Sequence, residues 1–267
     1  MCLILFAWRN HPRYDLIVAA NRDEFHERPS AAAEPWEEAP HVLAGRDLRG
    51  GGTWLGITTG GRFAAVTNYR DPASLKTGAP SRGALVSEFL LGSEPPATYL
   101  DRIAPSADRY NGFSLLVGNG DALHYYSNRG RRQELKAGLY GLSNRLLDTD
   151  WQKVTEGKRD LAGALAETDP DVEDIFQVLE DRRPATDDRL PDTGVGTEWE
   201  RLLSSRFIAS PQYGTRSSTV VLVGRNGRTR FVERSFDAQG QPWMTVDLTV
   251  EVGGRAEGGK VKRHVSS

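Results

Sequence analysis

Cysteine is almost absent: Cys2 is the single one in 267 residues. One thiol excludes an intramolecular disulfide framework and fits a reducing compartment, so a cytoplasmic location is expected. Histidine is sparse as well. The five, at positions 11, 26, 41, 124 and 264, have no ligand spacing, and with one cysteine no metal site is expected. No long apolar run exists. The opening stretch Cys2–Trp8 is seven residues, against about 20 for a membrane span, and it has neither the basic flank nor the cleavage site of a signal peptide. Charge bias is missing too: Lys plus Arg is 34 and Asp plus Glu is 36, a net charge of −2. That balance gives no pull toward nucleic acid or acidic membranes. Gly50-Gly51-Gly52 is followed by no GKS or GKT, which excludes a phosphate loop. No G-x-S-x-G elbow is present either.

What is present is the pattern of one α+β domain. At roughly 150 residues per domain the length falls between one and two, and no linker or repeat divides the chain. A domain over residues 1–250 is expected, with a polar, glycine-rich flexible tail at 251–267. The apolar runs Cys2–Trp8 and Asp15–Ala20 flank the turn-prone RNHPRY and read as a hairpin. NRDEFHERP, charged and ending in proline, reads as a loop. Thr53–Thr58 and Arg62–Asn68 around Gly60-Gly61 read as a second hairpin, preceded by glycines that permit positive φ or close approach. Helices are expected over 82–91 and 96–103. Strands follow at Phe113–Val117, Leu123–Ser127 and Leu139–Ser143. A helix marked by Trp151, Val154, Leu161 and Leu165 precedes a clearer one, where Val172, Ile175, Phe176 and Leu179 share a face. A short helix at Thr197–Ser205 leads to closing strands at Ser218–Val223, Thr229–Ser235 and Thr245–Val252. Tight turns between neighbouring strands and helices in pairs predict antiparallel sheets covered by helices, not a doubly wound parallel sheet.

Chemistry concentrates at the first residues. Methionine aminopeptidases remove Met1 when the second side chain is small, which would leave Cys2 with a free α-amine of pKa near 8. One residue then supplies a nucleophile and its base. The antiparallel hairpin sets the start of the first strand beside the end of the second, so Asp23 is expected next to Cys2. A carboxylate there can hold the N-terminal ammonium or orient the thiol. Trp54, behind the glycines, is expected in the core and is carried as a substrate-binding candidate with Asn21 and Arg22.

Five motifs stand in order: NRDE at 21–24, GGTWLGI at 51–57, TN at 67–68, GLSN at 141–144 and GTRSST at 214–219. Together with the N-terminal MC strand they resemble the NRDE family, whose eukaryotic members are called transport and Golgi organisation proteins. That family is similar in turn to the N-terminal-nucleophile hydrolases of the penicillin-acylase and bile-salt-hydrolase group. The resemblance runs from residue 1 to about 236. It implies a four-layer αββα sandwich of two antiparallel sheets.

The resemblance also implies roles. Cys2 matches the nucleophile and Asp23 the carboxylate near its amine. Asn68 matches an oxyanion-hole asparagine, a donor that adds no charge. Asn144 matches a second asparagine. Arg216 matches an arginine that lowers the thiol pKa or holds substrate. The candidate catalytic set is therefore Cys2, Asp23, Asn68, Asn144 and Arg216. The hydrolases usually carry an arginine directly before the residue matching Asn21. This chain has Ala20 there and Arg22 on the other side. A one-residue slip along a strand reverses the face, so Arg22 is not expected to replace that guanidinium. The function implied is hydrolysis of a linear amide or related acyl bond, with no cofactor. The alternative is a non-catalytic trafficking protein on the same fold, binding haem, lipid or acyl-CoA. The sequence carries no signal for an oligomeric state.

Overall fold

A computed structural model describes residues 2–251 and 260–266. The chain opens with β1 (Cys2–Trp8), β2 (Tyr14–Phe25), β3 (Ser30–Trp36), β4 (Ala39–Asp47), β5 (Leu55–Thr58) and β6 (Phe63–Asn68). Helices α1 (Gly83–Leu91) and α2 (Pro96–Ile103) precede β7 (Phe113–Gly118), β8 (Leu123–Ser127), β9 (Gln133–Glu134) and β10 (Gly138–Leu142). Then come α3 (Gln152–Ala164), α4 (Val172–Leu179) and α5 (Thr197–Leu202), and finally β11 (Tyr213–Gly224), β12 (Arg228–Phe236), β13 (Pro242–Glu251) and β14 (Lys260–Ser266).

The strands form two seven-stranded sheets, in the orders β10-β1-β2-β11-β12-β13-β14 and β3-β4-β5-β6-β7-β8-β9. All the pairings are antiparallel. Three apolar layers make the sandwich. Ile4, Phe6, Val18 and Phe231 of the first sheet meet Leu43, Leu55, Phe63 and Leu116 of the second in the central layer. The outer face of the first sheet, with Leu3, Leu5, Ile17 and Val220, packs on Val154, Leu161, Ile175 and Phe176 of α3 and α4. The outer face of the second, with Val42, Ala64 and Leu115, packs on Val86, Phe89 and Leu100 of α1 and α2. The order is therefore helices, sheet, sheet, helices, as the sequence pattern and the resemblance anticipated.

β1 is apolar at every position because the pleat sends alternate side chains to opposite faces and both faces are covered. Even-numbered residues Ile4, Phe6 and Trp8 face the other sheet, whereas Leu3, Leu5 and Ala7 face the helices. Gly157 lets α3 approach: a Cβ there would lie 2.7 Å from Leu5 Cδ1. Gly52 does the same for α1, since its Cβ would meet the Gly83 carbonyl carbon at 2.7 Å.

Several expectations need correction. NRDEFHERP is not all loop: β2 continues to Phe25 because β11 extends back to Tyr213 and pairs with its far end. Residues 30–47 form the strands β3 and β4, which the polar, proline-containing sequence did not signal. Residues 260–266, expected in a flexible tail, form β14 and pair with β13 from Thr245↔Ser266 to Glu251↔Lys260. Residues 252–259 and 267 of that expected tail lie outside the described residues.

Candidate active site

Cys2 lies where the two sheets part. Its Cα is in register with Arg22, and its parity with Ile4 turns the thiol toward the inter-sheet space. It is buried, 8% exposed, and lines a cleft of about 490 Å³, a size suited to a small molecule. Arg22, Asp23, Asn68, Trp54 and Arg216 line the same cleft. Asn21 and Asn144 do not.

Asp23 stands one residue beyond the Cys2↔Arg22 pair, as hairpin geometry required. A backbone hydrogen bond links it to the thiol. Its Oδ1 accepts from the Thr215 hydroxyl at 2.8 Å, and its carbonyl accepts from Tyr213 Oη at 3.0 Å. Burial pushes the Asp23 carboxyl upward; Lys153, the Thr215 hydroxyl and Arg22 pull it back. The Cys2 thiol is also raised, first by burial and then by the Asp23 charge, with Arg22 opposing. The thiol is thus held protonated at rest, contrary to the lowering expected from Arg216.

Arg216 sits in a β-bulge between Thr215 and Ser217, where the extra residue redirects a side chain. Its Nη1 donates to the carbonyls of Phe25, His26 and Arg28 at 3.1, 3.0 and 3.2 Å. Those bonds anchor it to the β2–β3 turn at the cleft rim.

The guanidinium beside Cys2 belongs to Arg22. Positions 20 and 22 are two apart, so they share a face, and the one-residue slip does not turn Arg22 away from the side on which Ala20 lies. Ala20 packs in the central layer, and Arg22 follows it into the cleft between the sheets.

Asn21 faces the helices. Its amide donates to the Leu179 and Arg206 carbonyls at 2.9 and 2.8 Å, and its Oδ1 accepts from Ser218 Oγ at 2.6 Å. Its amide locks the end of α4 and the 206 loop to the sheet while its oxygen is held by β11, which removes it from the substrate-binding candidates.

Asn68 ends β6 on the facing sheet, half-buried at the cleft. Asn144 lies fully buried behind it, and its Nδ2 donates to the Asn68 carbonyl at 3.1 Å. Its own carbonyl accepts from the Arg70 N–H at 2.8 Å. Ser143 Oγ donates to the Cys2 carbonyl at 3.1 Å, and Thr67 Oγ1 donates to the Ser143 carbonyl at 2.7 Å. The GLSN segment is therefore a staple that ties the end of β6 to the start of β1 across the two sheets. Asn144 positions Asn68. Trp54 is half-buried, packs against both apolar layers of its sheet and offers the cleft one edge.

Two residues were missed from the sequence. Arg82 precedes α1, lines the cleft, and feels the charges of Cys2 and Glu24. Nothing in SRG marked it; the Gly52–Gly83 approach places it. Lys153 is buried on α3, donating to the Leu203 carbonyl at 2.8 Å. Burial and the neighbouring Arg70 lower its pKa to about 8, while Asp23 and Cys2 act to raise it. Its position one residue from Val154, on the edge of the apolar face, was the available signal.

The family model for "Transport and Golgi organisation 2" matches residues 1–238. The cattle Transport and Golgi organization protein 2 homolog is 40% identical over 262 residues, covering 88% of this chain and 93% of the relative. The Drosophila melanogaster Transport and Golgi organization protein 2 is 29% identical over 264 residues, covering 88% and 92%. Among solved structures, penicillin V acylase from Agrobacterium tumefaciens aligns with TM-score 0.44 and 11% identity over 95% of this chain and 92% of that one. A mutant conjugated bile acid hydrolase from Clostridium perfringens aligns with TM-score 0.42 and 10% identity over 99% and 96%. With a family match over most of its length, the chain belongs to the transport and Golgi organisation 2 family.

Proposed function

We propose that the protein hydrolyses a linear amide or related acyl bond with Cys2 as nucleophile, after removal of Met1. The observation that carries this reading is the placement of the chain's one thiol at the floor of the inter-sheet cleft, beside Asp23 and facing Asn68. A free α-amine on Cys2 would lie on the Asp23 side of the Cys2↔Arg22 pair. The amine takes the thiol proton as the sulfur attacks the carbonyl carbon, and then delivers it to the leaving nitrogen. The raised thiol pKa fits a group that gives up its proton only in the attack. Asp23 holds the ammonium formed in between. Asn68 and a backbone N–H stabilise the oxyanion, and Asn144 fixes Asn68 through its carbonyl. Water then attacks the acyl-thioester and releases the acid.

Turnover of a panel of N-acyl amides by wild type and by Cys2→Ala tests the reading. Wild-type hydrolysis, lost in the variant with an unchanged melting temperature, is expected. Equal turnover by Cys2→Ala would reject Cys2 as the nucleophile. Stoichiometric binding of haem, lipid or acyl-CoA with no turnover of any amide would make the protein a carrier instead.

A further inference from the structure

Beside and behind Cys2 lie three buried cations, Arg22, Arg70 and Lys153, and three buried carboxyl groups, Asp23, Glu200 and Glu233. Two of each are accounted for. Arg70, after β6, pairs with Glu200 of α5, whose other oxygen is taken by Thr193. Arg22 of β2 acts on the Glu233 carboxyl of β12. Lys153 and Asp23 are left. Tyr213 of β11, beside Asp23, adds no charge, because burial and the Asp23 carboxylate hold its phenol protonated. Arg82 is half-buried at the cleft and also feels Cys2.

Lys153 lies in the first turn of α3. Its Nζ donates to the Leu203 carbonyl at 2.8 Å, and among the described residues it forms no ion pair. Gly157, one turn further along the same face, packs against Leu5 of β1. That docking brings the lysine to the sheet behind the site, where its charge acts on Asp23 and on Cys2. A buried ammonium held by one neutral carbonyl is a costly arrangement, and Asp23 is the carboxylate available to offset it.

A free α-ammonium on Cys2 would be a fourth cation against three carboxylates. An α-amine is a weaker base than a lysine side chain by roughly two pH units, so it is the group that gives up its proton. We infer that Lys153 is a positioning residue for the reaction: by offsetting the charge of Asp23 it keeps the Cys2 α-amine unprotonated at rest, able to take the thiol proton. The inference deepens the hydrolase reading and rests on it for the task of the amine. Lys153 exchanges no proton itself. Once the amine has taken the thiol proton, Lys153 repels the new ammonium, which favours passing that proton to the leaving nitrogen.

The lone cysteine makes the amine measurable. Isotope-labelled cysteine puts one labelled residue in the protein; its nitrogen reports the amine and its Cβ the thiol by nuclear magnetic resonance. The chain used begins at Cys2, released from a fusion where Met1 is retained. The wild-type amine should titrate below about 8, the ordinary value. Lys153→Gln keeps a donor for the Leu203 carbonyl, and Lys153→Met fills the space with apolar atoms, so that an uncharged variant folds. Both should raise the amine midpoint by about one pH unit or more, the effect of one nearby charge. Lys153→Arg, which keeps the charge, should leave the midpoint close to that of wild type. The acid limb of kcat/KM should move with the midpoint, giving about a tenfold loss below it that is regained at higher pH.

A lysine with a structural role alone would change the melting temperature and leave the midpoint in place. A wild-type midpoint at or above about 8, or one that the uncharged variants do not raise, overturns the inference. A midpoint that depends on Lys153 in protein that hydrolyses no amide keeps the control of the amine and removes the hydrolase reading alone. Hydrolysis with an unmoved midpoint does the reverse.

Discussion

Replacing Glu200 by alanine should be among the most damaging single changes outside the apolar core. Arg70 and Glu200 form an ion pair whose side chains are 3% and 4% exposed. The carboxylate is used fully. Oε2 accepts from Arg70 Nη1, while Oε1 accepts from the Thr193 N–H and hydroxyl at 2.7 and 2.6 Å. Arg70 also stacks over Trp151, 4.8 Å from the ring centroid. Truncating Glu200 strips a buried cation of this carboxylate and leaves two Thr193 donors without their acceptor. Breaking one side of a buried pair costs about 3–5 kcal/mol. At about 2–4 °C per kcal/mol for a chain of this size, the melting temperature should fall by roughly 6–20 °C. Calorimetry or circular dichroism reads this directly. Glu200→Gln, which keeps shape and an acceptor but drops the charge, should fall between. The double variant Arg70→Met/Glu200→Leu should recover much of the loss, because no buried charge is left. A cost below about 1 kcal/mol for Glu200→Ala, the range of an exposed pair, would refute the buried pairing.

Lys153 has a pKa of about 8 against the ordinary 10.5, because burial and Arg70 disfavour its ammonium. Between those values the unfolded chain keeps a proton that the folded chain has released, so this group makes stability rise with pH across that window. The Cys2 thiol, raised above 9, acts in the opposite sense above pH 9. Subtracting Lys153→Met from wild type cancels the part of the thiol contribution that is independent of Lys153. The difference should shift in the wild type's favour by on the order of 3 kcal/mol from pH 8 to 10.5, and denaturant titrations showing a flat difference would reject it. Gly157→Val should lose about 1–3 kcal/mol in chemical denaturation, since the added carbons meet Leu5. Gly163→Ala, with nothing within 4 Å of its Cβ, should gain up to about 1 kcal/mol from helix propensity.

The parts of the fold that were legible share one property: their signal is local and periodic. The Cys2–Trp8 hairpin and the Val172, Ile175, Phe176, Leu179 helix face announced themselves through apolar spacing, and Asp23 beside Cys2 followed from hairpin register. The illegible parts owe their form to distant partners. β3 carries Glu34 and Pro35 across two register irregularities and is a strand because β4 pairs with it. β14 is polar and basic, and only β13 makes it a strand. At the site, residue identity came from the motifs, but roles depended on facing. Asn21 and Arg22 are adjacent, yet the pleat sends one to the helices and the other to the cleft. Arg82, just before α1, and Lys153, on α3, reach the site through helix docking that sequence spacing does not specify.

The central claim is that Cys2 works as an N-terminal residue, and the intact mass of the purified protein tests it most directly. The expected mass is that of the chain less one methionine residue, which exposes the Cys2 amine beside Asp23. A full-length mass in protein that hydrolyses amides would contradict the self-base mechanism, because the Cys2 nitrogen would then be an amide unable to take the thiol proton.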